Sequence, residues 1–134
     1  FHGLPQAAIT KGDPYQKQCY RTAHLIAAEL GLTPETWLVT FQSRFGPAAW
    51  LTPYTDISLL ALAESGTKSI QMFCPGFSSD CLETLEELEC ENREVFMEAG
   101  GEQYHYILAL NDREDHVAAI VDVLAPTLDS LSLD

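Results

Sequence analysis

Residues 68–110 constrain what this chain can fold into more than any other part of it. "KSIQMFC" (68–74) and "YHYILAL" (104–110) are short runs rich in the β-branched, aromatic and aliphatic residues that make buried strands. Between them, from about 80 to 99, the apolar positions recur with helical spacing. Two strands joined through a helix pair in parallel, because a parallel pair needs a crossover of a dozen or more residues. The alternation extends upstream and downstream. "DPYQKQCYRTAHLIAAELGL" (13–32) reads as a helix with Asp13 as N-cap, Pro14 in the first helical position and a close near Gly31. Its apolar positions Tyr20, Ala23, Ala27 and Leu30 share a face. "TWLVTFQS" (36–43) reads as a further strand, and 56–65 and 113–125 as helices. The expected fold class is therefore α/β, a parallel sheet flanked by helices over residues 1–125. Residues 126–134 are expected to form a flexible tail.

The chain has 134 residues, 46% of them hydrophobic, which suits one domain with a real core. No apolar run approaches the roughly 20 residues that span a bilayer. The opening "FHGLPQAAIT" has no basic region followed by an apolar one, and it starts on Phe1 without a Met. These features read as a piece of a longer cytoplasmic protein. The net charge of −13, from twenty acidic and seven basic residues, repels nucleic-acid backbones and attracts cations. No nucleic-acid partner is expected. Cys19, Cys74, Cys81 and Cys90 contain no C-x-x-C pair, so four free thiols are expected.

The helix between the two strands carries a second message. Wound at 100° per residue, Asp80, Glu83, Glu87, Glu91, Glu94 and Glu98 fall on one stripe, with Cys81, Leu85, Leu88, Val95 and Phe96 on the opposite side. A solvated face with Asp80 or Ser79 as cap and Glu83 completing a capping box explains its start. It does not explain the rest, since like charges at i,i+4 cost a few tenths of a kcal/mol per pair. Glu83, Glu87 and Glu91 would form a row of oxygen ligands roughly 12 Å long, suited to divalent cations or protons.

In parallel α/β sheets ligands bind beyond the carboxyl ends of the strands. That rule gathers Gln42-Ser43-Arg44, Pro75-Gly76-Phe77, Asn111, Asp80, Glu83 and, if Phe1 ends a strand, His2. A neutral imidazole there can accept a proton or bind a metal. His24, His105 and His116 are read as structural or exposed.

"FHGLP" (1–5), "KGDPY" (11–15), "FQSRFGPAAWLTPYTD" (41–56), "CPGFSSDCLETLEEL" (74–88) and "LALND" (108–112) occur in the order and spacing of one known family. Up to about residue 125 the chain resembles the carboxyl-terminal half of ferrochelatases, of the bacterial type. The resemblance implies insertion of ferrous iron into protoporphyrin IX to form protohaem, on one lobe of a two-lobed chelatase-like fold. The amino-terminal lobe is absent from this chain. His2 matches the family's active-site histidine and Glu83 its partner glutamate, implying catalytic and metal-site roles for both. Glu87 and Glu91 match further members of an acidic path for metal or protons. Ser43, Arg44, Trp50 and Phe77 are the residues implied to contact the porphyrin.

Iron is implied as a substrate, with no permanently bound cofactor. Several relatives hold an iron–sulfur cluster through cysteines in a carboxyl-terminal extension; this tail has none, so no cluster is expected. Cys81 stands where animal enzymes have histidine, which removes one candidate ligand. The expected partners are porphyrin, ferrous iron and the amino-terminal lobe, through which any peripheral membrane contact would run. The isolated piece is expected to turn over slowly or not at all. Two rivals stand beside this reading: a related chelatase loading cobalt or nickel into another tetrapyrrole, and a non-catalytic acidic metal-binding module.

Overall fold

The computed structural model describes residues 1–130. The element order is α1 (Gln6–Thr10), α2 (Tyr15–Glu29), a 3-10 turn at Pro34–Thr36, α3 (Thr55–Glu64), β1 (Ser69–Phe73), α4 (Leu82–Thr84), a π-helical stretch (Leu85–Glu91), α5 (Asn92–Glu98), β2 (Gln103–Ile107) and α6 (Glu114–Ser130). β1 and β2 pair in parallel with Ser69 opposite Gln103 and Phe73 opposite Ile107. The expected parallel α/β arrangement is present, and the acidic segment is the crossover.

Of the expected strand 36–43, Thr36 closes the 3-10 turn and Ser43 is left-handed at φ +60, and the residues between them make no regular ladder. The segment forms single bridges, Gln42 with His2 in parallel and Phe41 with Tyr54 in parallel. Its neighbours are too irregular to continue them. On one side the chain turns at Pro5 into α1, and on the other it leaves through Pro53, which has no N–H to donate. Phe41 and Gln42 are nonetheless buried, because bridges on both edges leave little room for water.

Two apolar clusters form the interior. One joins Leu59 and Ala63 of α3 with Cys74, Leu88, Phe96, Tyr104 and Tyr106. The other joins Cys19, Val39, Phe41 and Leu51, with Phe1, Leu4 and Tyr20 packed against it. Between them, flanked by residues 37–42 and β1, runs a largely apolar groove of about 560 Å³. Leu30, expected on the buried face of α2, lines this groove and stays exposed.

The N-cap of α2 is Pro14, one residue later than expected, and Asp13 supports the helix start from outside, its carboxylate accepting the Tyr15 N–H at 2.9 Å. At the acidic helix the cap differs from expectation. Cys81 is the N-cap, and its N–H donates to Thr84 Oγ1 at 2.9 Å. Asp80 and Glu83 are not the capping pair, because the chain is still extended at Cys81 and Asp80 turns back into the fold. The π-helical register after Leu85 adds a residue per turn, so the 100° stripe does not continue as a straight line. Asn92 supports that register: its side-chain amide donates to the Glu87 carbonyl at 2.8 Å, five residues back. Of the apolar side, Leu88 and Phe96 are fully buried while Leu85 is exposed.

The helix expected to stop at 125 continues through Pro126 to Ser130, so the tail is helical that far; 131–134 lie outside the described residues. Pro126 removes one helical hydrogen bond, but its ring is exposed and displaces no packed neighbour.

Gly101 shows how tightly the larger cluster closes. A Cβ on Gly101 would run into the Phe96 ring, which is fully buried and worth roughly 2–3 kcal/mol in apolar burial. Gly101→Ala is expected to lower stability by about 1–3 kcal/mol through overpacking, measured as a reduced urea midpoint with an unchanged slope.

Candidate functional site

His2 is set by the backbone on both its sides. The Gln42 N–H donates to the Phe1 carbonyl at 2.9 Å and the Gly3 N–H donates to the Gln42 carbonyl at 2.7 Å. Gly3 has to be glycine for this: a Cβ there would lie 2.9 Å from the Gln42 oxygen and 3.3 Å from the Trp50 ring. Tyr15 adds a third restraint, donating its hydroxyl to the His2 carbonyl at 2.9 Å. The imidazole Nδ1 lies 2.7 Å from the Gly3 carbonyl oxygen. A carbonyl only accepts, so in the neutral ring Nδ1 carries the proton and Nε2 keeps a free lone pair.

Glu83 sits on the first turn of the acidic helix with an exposed side chain. The neighbouring Cys81 thiol holds its carboxyl below the usual range, with backbone hydrogen bonding and the nearby His2 acting the same way. It is therefore ionised across the neutral range. Its carbonyl is tied to the His2 side of the site, accepting from Gln42 Nε2 at 2.6 Å.

Glu87 turns toward the 41–44 segment. One carboxylate oxygen accepts the Ser43 N–H at 2.7 Å and the other accepts the Ser43 hydroxyl in a short contact. Ser43 reaches this position with φ +60, a left-handed conformation that a non-glycine residue adopts at a cost of order 1 kcal/mol or more. Glu91, at the end of the π-helical stretch, is exposed. Among the described residues no three His, Cys, Asp or Glu side chains converge to hold a metal ion. The Glu83 carbonyl lies on Gln42, the Glu87 carboxylate on Ser43, and Glu91 is exposed.

Trp50 is the aromatic residue beside His2. The Trp50 ring centroid lies 6.5 Å from that of His2, and its Nε1–H donates to the Phe45 carbonyl at 2.9 Å. Phe45 meets Trp50 edge-on at 5.9 Å and is 68% exposed, an apolar ring presented at the rim. Arg44 forms a two-pronged pair with Asp56 at 2.7 Å on each arm and lies 4.4 Å over the Tyr54 ring. Phe77 packs against the larger apolar cluster. Sequence reasoning placed Gln42, Arg44 and Trp50 at the site but passed over Phe45. Phe45 follows Arg44 directly in a glycine- and proline-rich loop, where a large apolar residue has no core to serve; that was its available signal.

Asp80 serves another purpose. Burial alone would raise its pKa, but the Asn111 amide (2.8 Å), the Ala109 N–H, the Tyr106 hydroxyl (3.0 Å) and Thr84 Oγ1 (3.0 Å) together hold it below the ordinary range. Asn111, at φ +51, also accepts the Asp80 N–H at 2.8 Å. This knot fixes the start of the acidic helix to the end of β2.

A family model described as Ferrochelatase matches residues 1–128. The chain belongs to the ferrochelatase family. It is 53% identical over 128 residues to the ferrochelatase of Pseudoalteromonas atlantica, covering 96% of this chain and 36% of that protein. Against the ferrochelatase of Idiomarina loihiensis it is 52% identical over 134 residues, 100% of this chain and 37% of that protein. Against that of Klebsiella pneumoniae the values are 55% over 126 residues, 94% and 39%. The chain thus spans a little over a third of the length of these family members. No described helix is long and apolar enough to cross a membrane.

The Asp80 knot makes a pH-dependent contribution to stability. Its folded pKa lies below the unfolded value of about 3.9, so its stabilisation is complete above that value and is lost as pH falls through the folded pKa. Asp80→Ala is expected to cost about 2 kcal/mol at pH 7, and less as the pH is lowered below 4, in urea unfolding at each pH.

Proposed function

We propose that this chain is the carboxyl-terminal lobe, residues 1–125, of a cytoplasmic enzyme that inserts ferrous iron into protoporphyrin IX to form protohaem. The observation that carries the reading is one pairing within a ferrochelatase-family chain. A histidine with a free Nε2 lone pair and an ionised Glu83 are both tied to Gln42.

Metallation must strip water from the ion, remove two pyrrole protons and bend the macrocycle so that its nitrogens face the metal. His2 Nε2 accepts a pyrrole proton from one face of the ring. Glu83 ligates the incoming iron or takes the second proton. Glu87 and Glu91, strung along the same helix, pass ions in or protons out. Trp50, with Ser43, Arg44 and Phe77 around the same strand ends, contributes the wall against which the porphyrin lies. Binding energy from that wall is spent on distorting the ring. Iron and porphyrin are substrates, and the amino-terminal lobe supplies the opposite wall and any peripheral contact with a membrane. No resident cofactor and no iron–sulfur cluster belong to this reading; a visible iron–sulfur absorbance in the purified full-length protein would count against it.

The test is insertion of ferrous iron, or zinc as a surrogate, into protoporphyrin by the full-length protein, with coproporphyrin as the competing substrate. His2→Ala and Glu83→Gln are each expected to lower kcat by at least about 100-fold, the scale of losing a positioned acid–base group, with an unchanged circular dichroism spectrum. Near-normal turnover in either variant overturns the assignment. A preference for cobalt or nickel, or metal binding that is indifferent to His2 and Trp50, would overturn it in favour of the other readings.

A further inference from the structure

We propose that Gln42 sets the separation of His2 from Glu83 and is thereby a positioning residue for metallation; the proposal rests on the function proposed above. Gln42 is 3% exposed, and its polar groups tie together three segments. Its backbone N–H and C=O hold the peptide groups on either side of His2, at 2.9 and 2.7 Å. Its side-chain Nε2 donates to the Glu83 carbonyl at 2.6 Å. Its Oε1 accepts the Cys74 thiol at 3.1 Å. These partners also fix which way the amide points, since the Glu83 carbonyl can only accept and must face the NH₂ group. Burial pushes the Cys74 thiol up to about 12, so it remains a donor throughout the working pH range.

Apolar packing alone does not set this distance: the Phe1 ring meets the backbone at Gly76, but the buried clusters on the two sides are separate. Phe1 and Leu4, flanking His2, belong to one apolar cluster, whereas Leu88 and Phe77, flanking the acidic turn, belong to the other. One side chain with two methylenes therefore spans from the His2 backbone to the Glu83 backbone. Ser43 and Glu87 make a parallel tie one residue further along. An error of about 1 Å between two reacting groups can cost about 100-fold in rate.

Two variants of the full-length protein test this. Gln42→Met keeps length and volume but cannot donate to Glu83. Its kcat for metal insertion is expected to fall about 100-fold with the porphyrin KM unchanged within about threefold, and its crystal structure to show the Glu83 backbone about 1 Å further from His2. Gln42→Glu donates to the Glu83 carbonyl only while protonated, so its kcat is expected to fall with rising pH through a step that the parent lacks. A merely structural role would lower thermal stability and both kinetic constants without adding that step. The proposal is overturned if Gln42→Met keeps kcat within threefold, or if its His2-to-Glu83 separation is unchanged. Should Gln42→Met fail to fold, the pH profile of Gln42→Glu decides, and a profile parallel to the parent's overturns it. If the parent itself inserts no metal, the proposed function fails, and the crystallographic separation alone judges Gln42.

Discussion

The close approach of two backbones at Gly3 and Gln42 is the constraint on which the site depends. A hydrogen bond of 2.7 Å between them leaves no room for a Cβ on Gly3. Because the fit is that tight, His2 cannot slide along the neighbouring segment. Everything downstream inherits this anchor: the orientation of the imidazole toward the Gly3 carbonyl, the tilted Trp50 ring beside it, and the left-handed turn at Ser43 immediately after Gln42.

The acidic helix resolves into parts with different physics. Asp80 is consumed by a knot of hydrogen bonds that joins the helix start to the end of β2. Glu83 is exposed and ionised, and Glu87 is turned onto Ser43. In a chain with a net charge of −13, Glu86, Glu87 and Glu89 sit on the π-helical stretch, whose register departs from a straight α-helical stripe.

Much of this was legible in the sequence. β1, β2, the helices at 13–32 and 56–65 and the crossover followed from periodicity and turn residues, because burial on a pleat or a helix face leaves a direct trace. The gathering of His2, Gln42, Ser43, Asp80, Glu83 and Asn111 at one edge followed from the rule for parallel sheets. What was not legible depended on side-chain geometry. Nothing in "SSDCLETLEE" distinguishes an Asp80 cap from a Cys81 cap, since the choice is made by Asn111 and Tyr106 some thirty residues away. The π-helical register likewise depends on Asn92, whose amide finds a carbonyl five residues back. The 36–43 segment reads as a strand by composition, and only its partners reveal that it forms bridges and no ladder. The last helix was expected to give way to a flexible tail at 126, yet it runs on to Ser130 through Pro126, whose exposed ring displaces no packed neighbour.

The groove between the two clusters bears on how this stretch of chain behaves in company. Along it lie one edge of β1 not taken by β2, the extended segment 37–42, and exposed Leu30, Leu38 and Phe73. An open strand edge beside apolar side chains is adhesive, because it offers main-chain pairing and dry contact together. Residues 1–134 on their own would present that adhesive seam to one another, so colloidal behaviour, and not the chemistry at His2, would set the concentration at which the lobe can be handled alone.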